Sequence, residues 1–321
     1  MSEFYKDKKV LVMGGAGFVG TNLIIKLLEA GAKVRATLHI KPAQFEDPAI
    51  EYVRGDLTDK AFVRNVVDGM DFVFMCAANT SGAAVMDKTP LAHVTPNVLI
   101  NTLALDAAYA AGVKKIMFLS SNTVYPLSDK AMKEDDMVFG ELYEKYYCVA
   151  WMKQFSEILC NMYSSKIKKP MPSIVVRPAN LYGPYDDFEW ETSHVLPALM
   201  RKVIERMDPL EVWGDGNDIK DFLYIDDFIE GIMLAMEKYS GYDPVNIASG
   251  VQSTVRQALG YMLEIEGYDD AEVVYNTDKP SMIPFRMLDA SKAVQDLGFS
   301  AKVSLCDGIA RTIEWYRANK G

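Results

Sequence analysis

Near its start the chain carries Val10-Leu11-Val12-Met13, then Gly14-Gly15-Ala16-Gly17-Phe18-Val19-Gly20, and few folds accept that order. The apolar run has the pattern of a strand buried on both faces. From Phe18 to Ala30 apolar residues recur at helical spacing, and Gly31 stops them. A strand that turns through glycine into a helix presents the unpaired N–H groups of the helix start beyond the strand's carboxyl end. Gly14 permits the tight turn, Gly17 lets the backbone approach a pyrophosphate, and Gly20 lets helix and strand pack closely. The expected occupant is a dinucleotide, held by Gly14, Gly17, Phe18, Val19 and Gly20.

The alternation continues. Residues 34–38, 51–53, 71–76, 115–120 and 173–176 read as further strands, with helical stretches near 59–69, 96–111 and 144–165. Strands apolar on both faces and separated by helices predict an α/β fold, a Rossmann-type doubly wound parallel sheet. After Arg177 the pattern loosens, and Pro, Gly and Asp gather at 178–187 and 208–221. A helix is expected over 193–206, a strand and helix over 222–239, and short elements from 244 to 318. These predict a smaller α/β substrate-binding domain over the sheet's carboxyl edge. The expected division is 1–178 with 222–250 for the dinucleotide domain, and 179–221 with 251–321 for the other. No linker separates the two, so a ligand is expected in the cleft between them.

Charge and cysteines narrow the partners. Lys and Arg number 34 against 44 Asp and Glu, a net charge of −10, and no basic block occurs. Such a chain is a poor fit to nucleic acid or an anionic membrane. Cys76, Cys148, Cys160 and Cys306 are far apart, which predicts reduced thiols in the cytoplasm and neither a disulfide framework nor a metal site. The charged start, Met1 to Asp7, has no signal-peptide core. No apolar run approaches the roughly 20 residues of a membrane span.

The end of the second strand bears on the cofactor. An acid about 20 residues past the glycines would accept the ribose 2′-hydroxyl of NAD. Here the chain reads Arg35-Ala36-Thr37-Leu38-His39-Ile40-Lys41, with Leu38 at the acidic position by length. His39, Lys41 or Arg35 can meet a 2′-phosphate, which favours NADP and leaves NAD as the alternative. Asp56, beside Leu57, can accept from an adenine amino group or cap a helix beginning near Thr58.

Several segments together resemble one family. The glycine turn, Gly55-Asp56-Leu57 and Cys76-Ala77-Ala78 resemble the cofactor half of the extended short-chain dehydrogenase/reductase family, in its nucleotide-sugar epimerase/dehydratase branch. Ser120-Ser121-Asn122-Thr123-Val124-Tyr125-Pro126 is similar to its Ser-Ser-x-x-Val-Tyr-Gly/Pro segment. Residues 177–184 are similar to its Arg-Pro-x-Asn-x-Tyr-Gly-Pro, and 221–227 to its Asp-Phe-x-Tyr-Val-Asp-Asp. Within the branch, 183–188, 193–199 and 212–216 most resemble the GDP-fucose synthase group, the GDP-4-keto-6-deoxymannose epimerase/reductases. The resemblance implies a nucleotide-sugar substrate, GDP-linked, with NADP as cofactor. It adds Ala77, Ala78, Lys153, Pro178 and Asn180 to the cofactor contacts. It also implies a homodimer through a four-helix interface formed by helices near 96–111 and 144–165.

Substrate contacts are implied at Asn122, Asn180, His194, Arg201, Lys202, Val212, Trp213, Lys220 and Arg286. Each has a physical reading of its own. Asn180 can anchor substrate or the nicotinamide edge, or bond its own turn. His194 titrates near neutrality and can move a proton. Arg201 and Lys202 can meet pyrophosphate or form a solvated helix face. Trp213 offers a face for a base, or belongs to the core. Lys220 stands where the family has an Arg, keeping charge without the bidentate fork.

Two departures matter. The family's proton relay is a Tyr-x-x-x-Lys pair on one helix face, and Lys153 with Glu157 matches its continuation, so Val149 occupies the tyrosine position. Tyr146, about two turns before Lys153, or Tyr147 can take that place. Otherwise Lys153, Ser121 or a bound water handles the proton. Thr123 replaces the family's Cys, one base of a two-base epimerisation, while His194 is retained. The expected activity is an NAD(P)-dependent nucleotide-sugar epimerase/reductase, with hydride transfer at sugar C4. Ser121 would orient the reacting oxygen. The second reading, motivated by Val149 and Thr123, is a dinucleotide-binding sensor or scaffold with little catalysis.

Overall fold

A computed structural model of the chain describes residues 3–79, 89–279 and 283–320. Met1 and Ser2, part of the charged start, lie outside the described residues. The first half runs β1 (Lys9–Met13), α1 (Phe18–Glu29), β2 (Lys33–Leu38), β3 (Ile50–Arg54), α2 (Lys60–Val67), β4 (Phe72–Met75), α3 (Thr95–Ala111), β5 (Lys115–Leu119), α4 (Tyr147–Ser165) and β6 (Ser173–Pro178). Then follow β7 (Asn180–Tyr182), α5 (Val195–Ile204), β8 (Leu210–Trp213), β9 (Ile219–Tyr224), α6 (Ile225–Lys238), β10 (Val245–Ile247), β11 (Gln252–Thr254), α7 (Val255–Glu266), β12 (Val273–Asn276), β13 (Phe285–Arg286) and α8 (Leu305–Asn319).

Seven parallel strands form one sheet in the order β10-β6-β5-β4-β1-β2-β3. Side chains alternate across it. Val10 and Val12 of β1 join the core under α1 and α6, whereas Leu11 and Met13 join the core under α2, α3 and α4. Both faces are therefore covered, as the unbroken apolar strands require. The strand order reverses between β1 and β4, and the crevice beyond their carboxyl ends is where such a sheet binds ligands.

Around β9 a smaller sheet forms. β11 pairs antiparallel and β13 parallel with its first residues, and β7 runs parallel to the rest. β8 and β12 make a separate parallel pair. Leu199, Leu210, Leu259 and Ile313 of this later part share one apolar cluster with Val10 and Val12, so a continuous core joins it to the large sheet. No helix among the described residues is long and apolar enough to cross a membrane.

Two elements differ from expectation. β10 completes the large sheet with only three residues, too few to show a strand period in sequence. The helix expected over 144–165 begins as a 3-10 turn, Glu144–Tyr146, and becomes α-helical only at Tyr147.

Candidate active site

The glycine turn is pinned to β2. Gly14 N–H donates to Thr37 Oγ1 and Gly15 N–H to Thr37 O, each at 2.9 Å. A Cβ on Gly20 would stand 2.1 Å from Gly14 O, so only glycine lets α1 start this close to the turn. Gly14 adopts φ 90°, and a Cβ there would meet the Ala77 backbone at 2.8 Å. The first bond of α1 runs from Thr21 N–H to Gly17 O at 2.8 Å. The N–H groups of Phe18, Val19 and Gly20 precede it and lie at the helix start, and no acid stands in that first turn. Donors and dipole there suit a pyrophosphate.

At the adenosine end the structure changes several assignments. Arg35 is engaged: it pairs with Glu51 at 2.9 Å and donates to the backbone of Val66 and Asp68, which takes it from the 2′ position. His39 and Lys41 are exposed beyond β2. Sequence reading missed Arg54. It is the register partner of Leu38, and its guanidinium donates to the carbonyls of His39 and Ile40, which brings a cation to the expected 2′ corner. Nothing in the sequence of β3 signals this, because the neighbour is a strand away. Asp56 accepts from Thr58 N–H at 2.8 Å, whereas the cap of α2 is Asp59, accepting from Ala61 and Phe62. The Leu57 side chain belongs to the core, leaving only its backbone for a ligand.

A run of close neighbours connects this turn to the later lobe. Cys76, next to Ala77, lies within electrostatic reach of Lys153. Lys153 Nζ donates to Leu119 O at 2.7 Å and stands 4.9 Å from the Phe118 ring centre. Burial pulls its pKa down to about 8, with Glu157 and Cys76 opposing. Two residues past Leu119, Ser121 Oγ accepts from the Thr123 N–H at 3.1 Å and from its hydroxyl at 3.0 Å. Asn122 opens the same turn. Arg286, on β13, reaches across to donate to Pro126 O at 3.1 Å and Tyr125 O at 3.4 Å. Its buried Nε has no hydrogen-bond partner among the described residues. Lys220, its register partner on β9, and Tyr146 both feel its charge. Burial pushes the Tyr146 phenol up to about 12, with Arg286 opposing.

Helix geometry separates the two tyrosines. At 100° per residue, Tyr147 stands about 120° around α4 from Lys153, and half of its surface is exposed. It lies on a different side of α4 from Lys153. Tyr146, just before the helix, instead faces the Arg286 corner.

Other motif residues are tied to one another around the site. Arg177 and Glu157 form a buried ion pair at 2.6 Å. Arg177 also donates to Tyr125 OH at 2.9 Å, and Tyr125 to Asn246 Oδ1 at 2.6 Å. Ser120 Oγ donates to Glu157. Asp221 accepts from Ser249 and Gly250. Asn180 follows Pro178 at the carboxyl end of β6, and its amide donates to Asp221 O at 3.0 Å.

The remaining substrate-side residues divide. His194 caps α5 without a side-chain cap bond. The residue is exposed, yet the protein packed around its ring lowers its pKa by desolvation, with Asp187 opposing. Trp213 is 46% exposed at the end of β8, with Lys279 Nζ 5.5 Å from its ring centre, which fits a stacking platform. Val212 lies in the core at 1% exposure, so its side chain cannot meet substrate. Arg201 pairs with Glu205 at 2.7 Å and lies over Trp190, and Lys202 donates to Glu211 O at 2.7 Å. Both cations are committed within their own lobe.

Comparison with known proteins finds the same family and fold. A sequence model of the NAD dependent epimerase/dehydratase family matches residues 10–248. GDP-L-fucose synthase 1 of Arabidopsis thaliana is 32% identical over 98% of this chain and 94% of its own. UDP-glucose 4-epimerase of Thermotoga maritima, solved with UDP-glucose, superposes with TM-score 0.87 at 26% identity, over 97% of this chain and 99% of that one. A dTDP-glucose 4,6-dehydratase of Streptomyces venezuelae, solved as a double mutant with NAD, gives 0.83 at 25% identity, over 97% and 98%.

Proposed function

This chain belongs to the NAD dependent epimerase/dehydratase family, and on that premise we propose that it is an NAD(P)-dependent epimerase/reductase acting on a GDP-linked 4-keto sugar. The observation that supports this best is the unbroken sequence of neighbours from the glycine turn, through Lys153 and Ser121, to Arg286 of the later lobe. The nicotinamide, when bound, supplies or accepts the hydride. Lys153 Nζ donates one hydrogen bond to Leu119 O and keeps two donors for the nicotinamide ribose. The Ser121 and Thr123 hydroxyls, already bonded to one another, orient the oxygen on sugar C4. Arg286, whose Nε has no partner among the described residues, and Lys220, which pairs with Asp218 at 3.6 Å and donates to Ile283 O, are the cations nearest to where the substrate's diphosphate would lie. His194, whose pKa desolvation lowers, suits the base that takes a proton from the sugar. Val149 cannot carry the family tyrosine's proton, and Tyr146 is the phenol that replaces it.

The test is hydride exchange between labelled NADPH and GDP-4-keto-6-deoxymannose by the purified chain. Lys153→Met should lower turnover by at least about a hundredfold. Tyr146→Phe should lower kcat with little change in KM, and unchanged turnover in that variant would remove the phenol from the mechanism. Binding without turnover across a panel of nucleotide sugars would favour the sensor reading, to which the described residues add no support.

NADP over NAD rests on Arg54, His39 and Lys41 at a corner where β2 ends without an acid. Arg54→Glu should weaken NADP binding by about tenfold or more and leave NAD within about threefold, as titration calorimetry would read it. Equal loss for both cofactors would place Arg54 outside the 2′ site. We propose the division 1–178 with 222–250 and 179–221 with 251–321, which β10 in the large sheet and α6 packed on it support, while residues 222–224 of β9 pair within the smaller sheet. A cytoplasmic homodimer through α3 and α4 completes the proposal. Exposed Leu99 and Tyr109 on α3 and Met162 on α4 support that interface.

A further inference from the structure

The turn that delivers His194 is organised by one carboxylate. Asp187 Oδ1 accepts from Glu189 N–H at 3.0 Å, and Oδ2 accepts from the Thr192 hydroxyl at 2.7 Å. Glu189 O in turn accepts from the N–H groups of Thr192 at 3.3 Å and Ser193 at 3.0 Å. The turn therefore closes around Asp187 and ends at His194, the residue before α5. The imidazole makes no cap bond there, so it is not engaged in holding the helix. Glu189 and Glu191 lie on the same turn but are exposed, and Asp187 is the charged group whose field reaches the ring.

We infer that Asp187 is the positioning residue for His194, its carboxylate closing the 187–193 turn and acting electrostatically on the imidazole that moves the proton. The neighbouring Asp186 makes this division of labour specific. Asp186 is buried and one of its oxygens has no partner among the described residues, whereas Asp187 has a hydrogen bond on each oxygen and partial access to water. A carboxylate facing an imidazole orients it and favours its protonated form, as a base needs once it has accepted a proton.

The role for His194 rests on the function proposed above, but the test does not require turnover. The chain has three histidines, so the His194 imidazole can be assigned in an NMR titration by its loss in His194→Gln. Asp187→Asn removes the charge while its amide keeps an acceptor for Glu189 and a donor for Thr192. The expected result is a His194 pKa lowered by about half a unit or more in Asp187→Asn, with restoration toward wild type in Asp187→Glu. Should the Asn variant not fold, Asp187→Ser gives the same readout with a smaller side chain. Titration curves that coincide in wild type and the charge-free variant would overturn the inference. With a competent substrate, the acidic limb of kcat/KM should shift in the same direction. A shifted titration with no turnover on any nucleotide sugar would instead count against the proposed function.

Discussion

Methionine in place of Arg177 is expected to lower the unfolding free energy by about 3–5 kcal/mol. Its side chain is 1% exposed and that of Glu157 0%, so the change strands a carboxylate away from water. The Tyr125 hydroxyl and the Glu134 carbonyl lose a donor as well. Most domains have only about 5–15 kcal/mol in hand, so the single variant should lose a large part of its cooperative transition. Glu157→Leu alone should be about as damaging, because it leaves a buried guanidinium. The two together should recover much of the loss, since no buried charge then lacks a partner. Urea denaturation of wild type, both single variants and the double variant closes this cycle. Losses that simply add would mean the two groups are not coupled. The pair lies behind Ser120 and Tyr125, so a folded double variant should still bind dinucleotide at the turn 14–20.

That pair also shows what the sequence did and did not disclose. The strand–glycine–helix order near residue 14 was legible because each part is local. The turn, the helix start and the strand period all lie within twenty residues of Val10. Motif residues such as Arg177, Glu157 and Asp221 were legible as important, but not as to role. Whether an Arg meets substrate or a buried Glu depends on what another element places opposite it, and sequence spacing does not carry that. Arg35 and Arg54 make the same point. Both lie on strands near the cofactor corner, yet Glu51 claims the first while register delivers the second to the end of β2. Tyr147 could be set aside by helix angle, but only once the helix start was fixed at that residue. Val212 reads as a contact beside Trp213 in sequence, and strand alternation turns the two to opposite sides.

Asp186→Asn should stabilise the protein in a strongly pH-dependent way. Asp186 Oδ1 accepts from Asp187 N–H at 2.7 Å, but Oδ2 is buried without a partner among the described residues. Burial pushes the carboxyl up to about 8, the Asp187 N–H opposes this, and the Asp187 charge adds to it. The unfolded chain would release that proton near pH 3.9. Because the folded pKa lies above the unfolded one, the native state holds a proton that the unfolded state lacks between these limits. This group's contribution is therefore fully present at low pH and is lost as pH rises toward about 8, at up to about 1.4 kcal/mol per unit. Asparagine has no such proton. The advantage of the variant should be small near pH 4, grow through neutrality and level off above pH 8, reaching a few kcal/mol. The difference between wild-type and variant urea midpoints, taken at about pH 5 and about pH 8, isolates this group from the chain's other acids. Parallel stability curves would show that Asp186 ionises normally. A neutral acid kept at this expense beside Asp187, in the turn that carries His194, can donate a hydrogen bond at pH 7 where an ionised one cannot.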